Sequence, residues 1–249
     1  MPLFLKKTHR ILYFIAVLFF FSLSFPALYF LAKNPQRNYA SIVWFRKWIS
    51  ILSVHLVGIR FRVTYEEPID WSKPYILCPN HTSILDITAL TYICPQQFSF
   101  VGKIELLNNP VTRIFFKSID IPVKRESKMS AYKAFKRAGD LLKEGKSVVI
   151  FPEGKIDDEF PPILHKFKPG AFRMAQENNI QIIPIVIQNA WDIMWDDGGR
   201  FGSKPGVIDI TVLKPMDCTP NEGRDFDSIE LEVYEKMNQV WLKQREITQ

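Results

Sequence analysis

The stretch Pro79-Asn80-His81-Thr82-Ser83-Ile84-Leu85-Asp86 gathers an imidazole, two hydroxyls and a carboxylate directly behind an apolar run, Tyr75 to Cys78. If the Asp86 carboxylate holds one ring nitrogen of His81, the other is free to accept a proton from a hydroxyl, which is general-base catalysis. A continuous helix would set the two side chains about 140° apart at about 100° per residue, so this chemistry requires His81 to sit in a turn. Ser83 and Asp86 have the spacing of a capping box, which predicts a helix starting near Ser83 and leaves His81 ahead of it. The same string also fits a capped helix beside a surface histidine. The chain has four histidines, His9, His55, His81 and His165, and no Gly-x-Ser-x-Gly elbow to supply a serine nucleophile.

A second stretch, Val148-Val149-Ile150-Phe151-Pro152-Glu153-Gly154-Lys155, repeats the pattern of an apolar strand breaking into a polar turn. Glu153 is placed to orient a substrate hydroxyl or pair with a base; a surface loop glutamate is the plainer alternative. Phe167-Lys168-Pro169-Gly170-Ala171 opens a helix whose free amides favour an anion. Pro184, inside Ile183-Pro184-Ile185-Val186, marks a strand edge or a bulge. Gly145-Lys146-Ser147 imitates the end of a phosphate loop, but position 140 holds Asp140 where that loop needs glycine, and the string follows a helix instead of a strand.

These turns need a scaffold. Apolar runs predict strands at about 59–66, 75–79, 98–102, 120–124, 147–151, 181–187 and 207–213. Helices fit at about 84–93, 105–117, 129–144, 169–178 and 226–245. In the third of these Ala131, Phe135, Ala138 and Leu142 share a stripe, and Gly145 is placed as its C-cap. The alternation implies an α/β fold, a mixed sheet flanked by helices, over residues 59–249.

Residues 1–58 read as a two-helix membrane anchor. Ile11 to Ala32 is a run of 22 residues without charge, long enough to span a bilayer and too long for a signal peptide. Tyr39 to Val57 mixes apolar residues with Trp44, Arg46, Lys47 and Trp48, as an interfacial helix does; a soluble amphipathic helix packed on the domain is the alternative. Basic residues flank the first run on both sides, so charge counting assigns it no orientation and gives both ends a cytoplasmic character. A hairpin dipping into one leaflet, bent at Pro26 and Asn34-Pro35, reconciles these features.

The formal charge of +6 is uneven. Nine bases and no acid precede Glu66, while the remainder carries 23 bases against 26 acids, so the positive charge belongs to the anchor and points to anionic lipid, not nucleic acid. Arg113 to Lys146 is a local exception with ten bases and four acids, which suits an anionic partner or simply a solvated helix face. Three widely spaced cysteines, Cys78, Cys94 and Cys218, form neither a disulfide framework nor a zinc pattern.

Four ordered blocks resemble the glycerolipid acyltransferases, specifically the 1-acylglycerol-3-phosphate acyltransferase (lysophosphatidic acid acyltransferase) family. Asn80, His81, Ser83 and Asp86 match the Asn-His-x-Ser-x-x-Asp block that carries the catalytic base. Ile121-Pro122-Val123-Lys124-Arg125 matches the block whose arginine binds the acceptor's phosphate; Phe151 to Gly154 and Ile183-Pro184-Ile185 match the remaining two. Gly102-Lys103-Ile104-Glu105-Leu106 and Lys168-Pro169-Gly170 look like further family features. Where the family continues with Thr-Arg-Ser, this chain has Lys155-Ile156-Asp157, and Lys155 supplies a point charge without the arginine fork.

The resemblance implies a phospholipid-biosynthetic O-acyltransferase on the cytoplasmic face of a membrane. His81 is the base and Asp86 its partner; Arg125, Lys103 and Lys155 hold the anionic head, with Asn80, Ser83, Gly154 and Lys168 nearby; Glu153 aligns the glycerol. The partners are a lysophospholipid acceptor, with lysophosphatidate first, and acyl-CoA or acyl-carrier protein as the donor. The thioester is already activated, so no cofactor and no metal is implied. The residues alone leave open a different lysolipid acceptor, a tethered lipid-binding module and a thioester hydrolase.

Overall fold

The computed structural model describes residues 1–156, 159–195, 200–219 and 225–248. Seven strands form one sheet in the order β1-β7-β6-β2-β5-β3-β4. They are β1 (Ile59–Tyr65), β2 (Ile76–Pro79), β3 (Phe98–Lys103), β4 (Ile121–Val123), β5 (Ser147–Val149), β6 (Ile182–Ile187) and β7 (Gly206–Val212). Five neighbouring strands are parallel; β7 runs antiparallel to β6 and carries β1 with it, so the sheet is mixed. The interior strands β2 and β6 are buried along their whole length, which explains their unbroken apolar runs. Pro184 lies at a bulge in the interior of the sheet: Ile182 faces Met216 but Ile185 faces Val212, leaving one extra residue on the β7 side.

The helices are α1 (Leu3–Leu31), α2 (Tyr39–Leu56), α3 (Leu85–Ile93), α4 (Pro110–Ser118), α5 (Lys128–Lys143), α6 (Gly170–Asn178), α7 (Ala190–Ile193) and α8 (Phe226–Thr248). The helix expected at 105–117 is divided into a 3-10 turn, Ile104–Asn108, and α4. Asn109 caps α4 by accepting from the amides of Val111 and Thr112, and Pro110 occupies its first position. In α5 the buried stripe is Ala134, Ala138, Leu141 and Leu142; Ala131 faces out, a rotation from the expected stripe. Gly145 ends α5 at φ +79°.

Right-handed crossovers put α3 and α4 on one face of the sheet and α5 and α6 on the other. The contacts agree, since α2 packs on α3 and α1 on α4, while α6 packs on α5 and α8.

The two N-terminal helices form a hairpin that lies along the domain. Helix α1 continues through Pro26, and the chain reverses between Ala32 and Asn38. Near the start of α2 the Tyr39 hydroxyl meets Ser99 Oγ at 2.6 Å. In its middle, Arg46 donates to Asp120 Oδ1 at 2.7 Å and to the Phe98 carbonyl at 2.8 Å, all three groups buried. The start of α1 is fastened as well. His9 bridges Ser203 Oγ (2.6 Å) and the Val57 carbonyl (2.7 Å), and Arg10 donates to the Trp195 carbonyl at 2.6 Å. Thus α2 is packed on the domain over one face, while Trp44 and Trp48 remain 53% and 45% exposed on the other. Helix α1 is long and apolar enough to cross a membrane, and Phe4, Ile11, Leu18, Phe19, Leu23 and Phe30 line its uncovered side.

Candidate active site

Strands β2, β5, β3 and β4 are parallel neighbours, so the segments after each of them leave at the same edge of the sheet. After β2 the chain turns to the α3 face; after the adjacent β5 it turns to the α6 face. A crevice opens between two such diverging connections, and both polar turns found in the sequence lie there.

The first turn closes around Asp86. Its Oδ2 accepts from His81 Nδ1 at 3.0 Å, from the Thr82 amide at 2.7 Å and from the Ser83 amide at 2.8 Å. Asp86 is 0% exposed. Burial pushes its carboxyl above the ordinary range, while the His81 ring and the amides of Ser83 and Thr82 pull it back. Helix α3 begins at Leu85, one turn after His81, which is how the imidazole folds back to a carboxylate five residues ahead. The cap forms with a shifted donor: Asp86 reaches back to the Ser83 amide, and the Ser83 hydroxyl oxygen accepts from the Leu85 amide at 3.2 Å while donating to the Met194 carbonyl at 2.6 Å. The His81 ring is stacked on Phe151, with centroids 3.9 Å apart and planes at 26°. Nδ1 is taken by Asp86, and Nε2 bonds to no described residue.

The second turn supports the first. Glu153 is 4% exposed; its Oε1 accepts the His81 amide at 2.7 Å and its Oε2 the His165 amide at 2.9 Å. Gly154, at φ +74°, lies under the Lys168 side chain, where a Cβ would come within 2.8 Å of Nζ. The Lys168 amide donates to the Pro152 carbonyl at 2.9 Å, tying this turn to the approach to α6.

His81, Asp86, Glu153, Gly154 and Lys168 are therefore brought together. Asn80 and Ser83 are adjacent, but both are buried and bonded to main chain: Asn80 exchanges hydrogen bonds with the Ile187 amide (2.7 Å) and carbonyl (3.0 Å), locking β2 to β6. They shape the turn. Glu153 likewise faces two amides where the resemblance assigns it a glycerol hydroxyl. Lys103, Arg125 and Lys155 are exposed at the same sheet edge. Lys103 ends β3 and Arg125 lies two residues past β4, strands that are two and three places from β2, or about 10 and 14 Å along the sheet. Asp157 lies outside the described residues. Three contributors carry no role in the sequence reading: the Phe151 ring under His81, the Thr82 amide on Asp86 and the Met194 carbonyl on Ser83. Phe151 was within reach, as it opens the second motif; Met194 gives no sequence signal.

Known acyltransferases resemble this chain over most of its length. The chain is 30% identical over 172 residues to the 1-acyl-sn-glycerol-3-phosphate acyltransferase of Saccharomyces cerevisiae, covering 68% of this chain and 55% of that protein. It is 29% identical over 182 residues to the human 1-acyl-sn-glycerol-3-phosphate acyltransferase beta, covering 72% of this chain and 63% of the relative. It thus spans less than two thirds of the length of these curated relatives. The crystal structure of the 1-acyl-sn-glycerophosphate acyltransferase PlsC from Thermotoga maritima superposes with a TM-score of 0.77 at 16% identity, covering 98% of both chains, which establishes a shared fold. A model of the acyltransferase family matches residues 60–188, more than half of the sequence and including both polar turns, so the chain belongs to the acyltransferase family.

Proposed function

We propose that the chain transfers a fatty acyl group from a thioester donor to the free hydroxyl of a lysophospholipid, converting lysophosphatidate to phosphatidate. The observation that carries this reading is the 3.0 Å contact between His81 Nδ1 and a buried Asp86 carboxylate. That contact fixes the tautomer with its proton on Nδ1 and leaves Nε2 unprotonated to take a proton. The acceptor hydroxyl loses its proton to His81 Nε2 as its oxygen attacks the thioester carbonyl. The tetrahedral intermediate collapses by breaking the carbon–sulfur bond, and the thiolate recovers the proton from the imidazolium. Asp86 stabilises that imidazolium while it exists. No group beyond donor and acceptor is consumed.

Arg125 and Lys103, on the far strands of the same edge, suit an anionic head. Lys155, in place of the family's arginine, favours a second acceptor, a lysolipid whose head does not demand a bidentate fork. The hairpin packed flat on the domain supports a protein seated in one leaflet on the cytoplasmic face. With α2 bound to the sheet at Tyr39 and Arg46, an upright α1 would draw the polar domain into hydrocarbon.

Purified protein incubated with radiolabelled acyl-CoA and a panel of lysolipids tests the proposal. Turnover should appear with lysophosphatidate and fall by about 10²–10⁴-fold in His81→Ala. A His81→Ala protein that keeps wild-type turnover removes the mechanism, and thioester cleavage without an acceptor makes the chain a hydrolase.

A further inference from the structure

Helix α5 starts at the catalytic edge, directly after Arg125, and runs down the face of the sheet opposite the α1–α2 hairpin. From Lys124 to Arg137 the sequence has six bases and one acid, Glu126. Lys128, Met129, Tyr132, Lys133 and Lys136 are all exposed and fall within an arc of about 140° on α5. Met129 and Tyr132, at 63% and 65% exposure, form an apolar centre between the three lysines. None of these lysines forms an ion pair among the described residues. Lys128 also occupies the first turn, where the helix dipole disfavours a cation and no acid is present. The local preference is thus overruled at an exposed position.

We infer that this face of α5 docks an acidic acyl carrier protein, whose thioester arm then reaches along the sheet edge to His81. The inference rests on the acyltransfer reading above and names its donor. The cations are spread over about 12 Å of helix around an apolar pair, which fits the side of an acidic helix better than the clustered phosphates of a nucleotide. The bilayer is the less suitable occupant, because α5 lies across the sheet from the exposed apolar side of α1.

The test titrates a fluorescent acidic acyl carrier protein into the detergent-solubilised full chain, comparing wild type with Lys128→Glu/Lys133→Glu/Lys136→Glu, and repeats this in a His81→Ala background. The triple variant should raise the carrier Kd by about tenfold or more, and the wild-type affinity should be the more salt-sensitive of the two. In turnover the KM for acyl-carrier should rise by a similar factor, while the KM for acyl-CoA and kcat stay within about twofold. Tyr132→Ser should weaken the carrier and leave acyl-CoA unaffected. Equal carrier affinity in wild type and triple variant overturns the inference. So does an equal loss with both donors, or a loss of binding to phosphatidylglycerol vesicles with carrier affinity intact. The His81→Ala background keeps docking apart from catalysis: carrier binding that depends on α5 there supports the surface even if acyltransfer fails.

Discussion

Glu153 holds the main-chain amide of His81 through Oε1 at 2.7 Å, and through Oε2 it holds the amide of His165 at 2.9 Å. One buried carboxylate therefore joins the segment after β5 to the turn that carries His81, the base of the proposed reaction, and to the segment leading into α6. The geometry makes Glu153 a positioning residue for His81.

Glu153→Gln separates this role from contact with the acceptor. The side-chain amide keeps one acceptor oxygen but turns an NH2 toward the second main-chain amide, leaving a buried donor unpaired at a cost of about 1–3 kcal/mol. The variant should fold with a lower Tm and lose kcat, while the acceptor KM changes little. A raised acceptor KM at constant kcat would show that Glu153 touches the lipid instead.

Asp86 ties activity to a stability cost. Burial raises its carboxyl above the ordinary value of 3.8, so between those two values the native state holds more protons than the unfolded state. The stabilisation is fully present below 3.8 and is lost as pH rises through the folded value, where stability settles at a lower level. Asp86→Asn cannot ionise and can keep an oxygen toward the His81, Thr82 and Ser83 donors. Its stability relative to wild type should increase from pH 4 to pH 7 in denaturant unfolding, while most turnover disappears for want of a charge to stabilise the imidazolium. A relative stability that declines over that range contradicts the assignment.

How far the sequence shows these features depends on the range of the contacts. The interior strands are legible as short apolar runs closed by a polar turn, as Ile76–Pro79 and Ile182–Ile187 illustrate, and β1 and β7 by their alternation of apolar and polar residues. The His81–Asp86 pair is legible because both partners lie in one turn. Asn80 bonds to Ile187 and Ser83 donates to Met194, 107 and 111 residues away, so these long-range bonds have no local signature, whereas the Ser83 oxygen on the Leu85 amide is the local cap that the spacing shows. The same is true of the His165 amide on Glu153. At Asn109-Pro110 the signal was present, since a capping residue followed by proline starts a new helix, and the periodicity across it conceals the break. Helix α7, at four residues, is too short to show a period.

The hairpin's attachment can be tested at Arg46. Its guanidinium is 4.2 Å from the centroid of Phe98 and 4.9 Å from that of Phe100, and Asp120 Oδ1 accepts from both Arg46 and the Phe100 amide. Arg46→Met leaves the Asp120 carboxylate buried without its cation, which should cost about 3–5 kcal/mol. Adding Asp120→Asn removes the stranded charge and should restore most of that loss. Denaturant unfolding of both variants measures this; a single-variant cost below about 1 kcal/mol would mean that water reaches the pair.

Thiol labelling decides whether α1 crosses the bilayer or lies along it. The Lys6 carbonyl accepts from the Ser203 amide at 2.9 Å, and Gly202 packs against the backbone of Lys6 and Lys7 so closely that a Cβ would come within 2.5 Å. Residues 5 and 200 are therefore at the same end of the molecule. Cys78, Cys94 and Cys218 are buried, and burial pushes the Cys94 thiol up to about 12, so the native cysteines give little background. Leu5→Cys and Arg200→Cys proteins in sealed vesicles should react with a membrane-impermeant maleimide from the same side, both labelled or both protected. Labelling of one and protection of the other would require α1 to separate from Ser203 and stand across the membrane, and would overturn the single-leaflet arrangement.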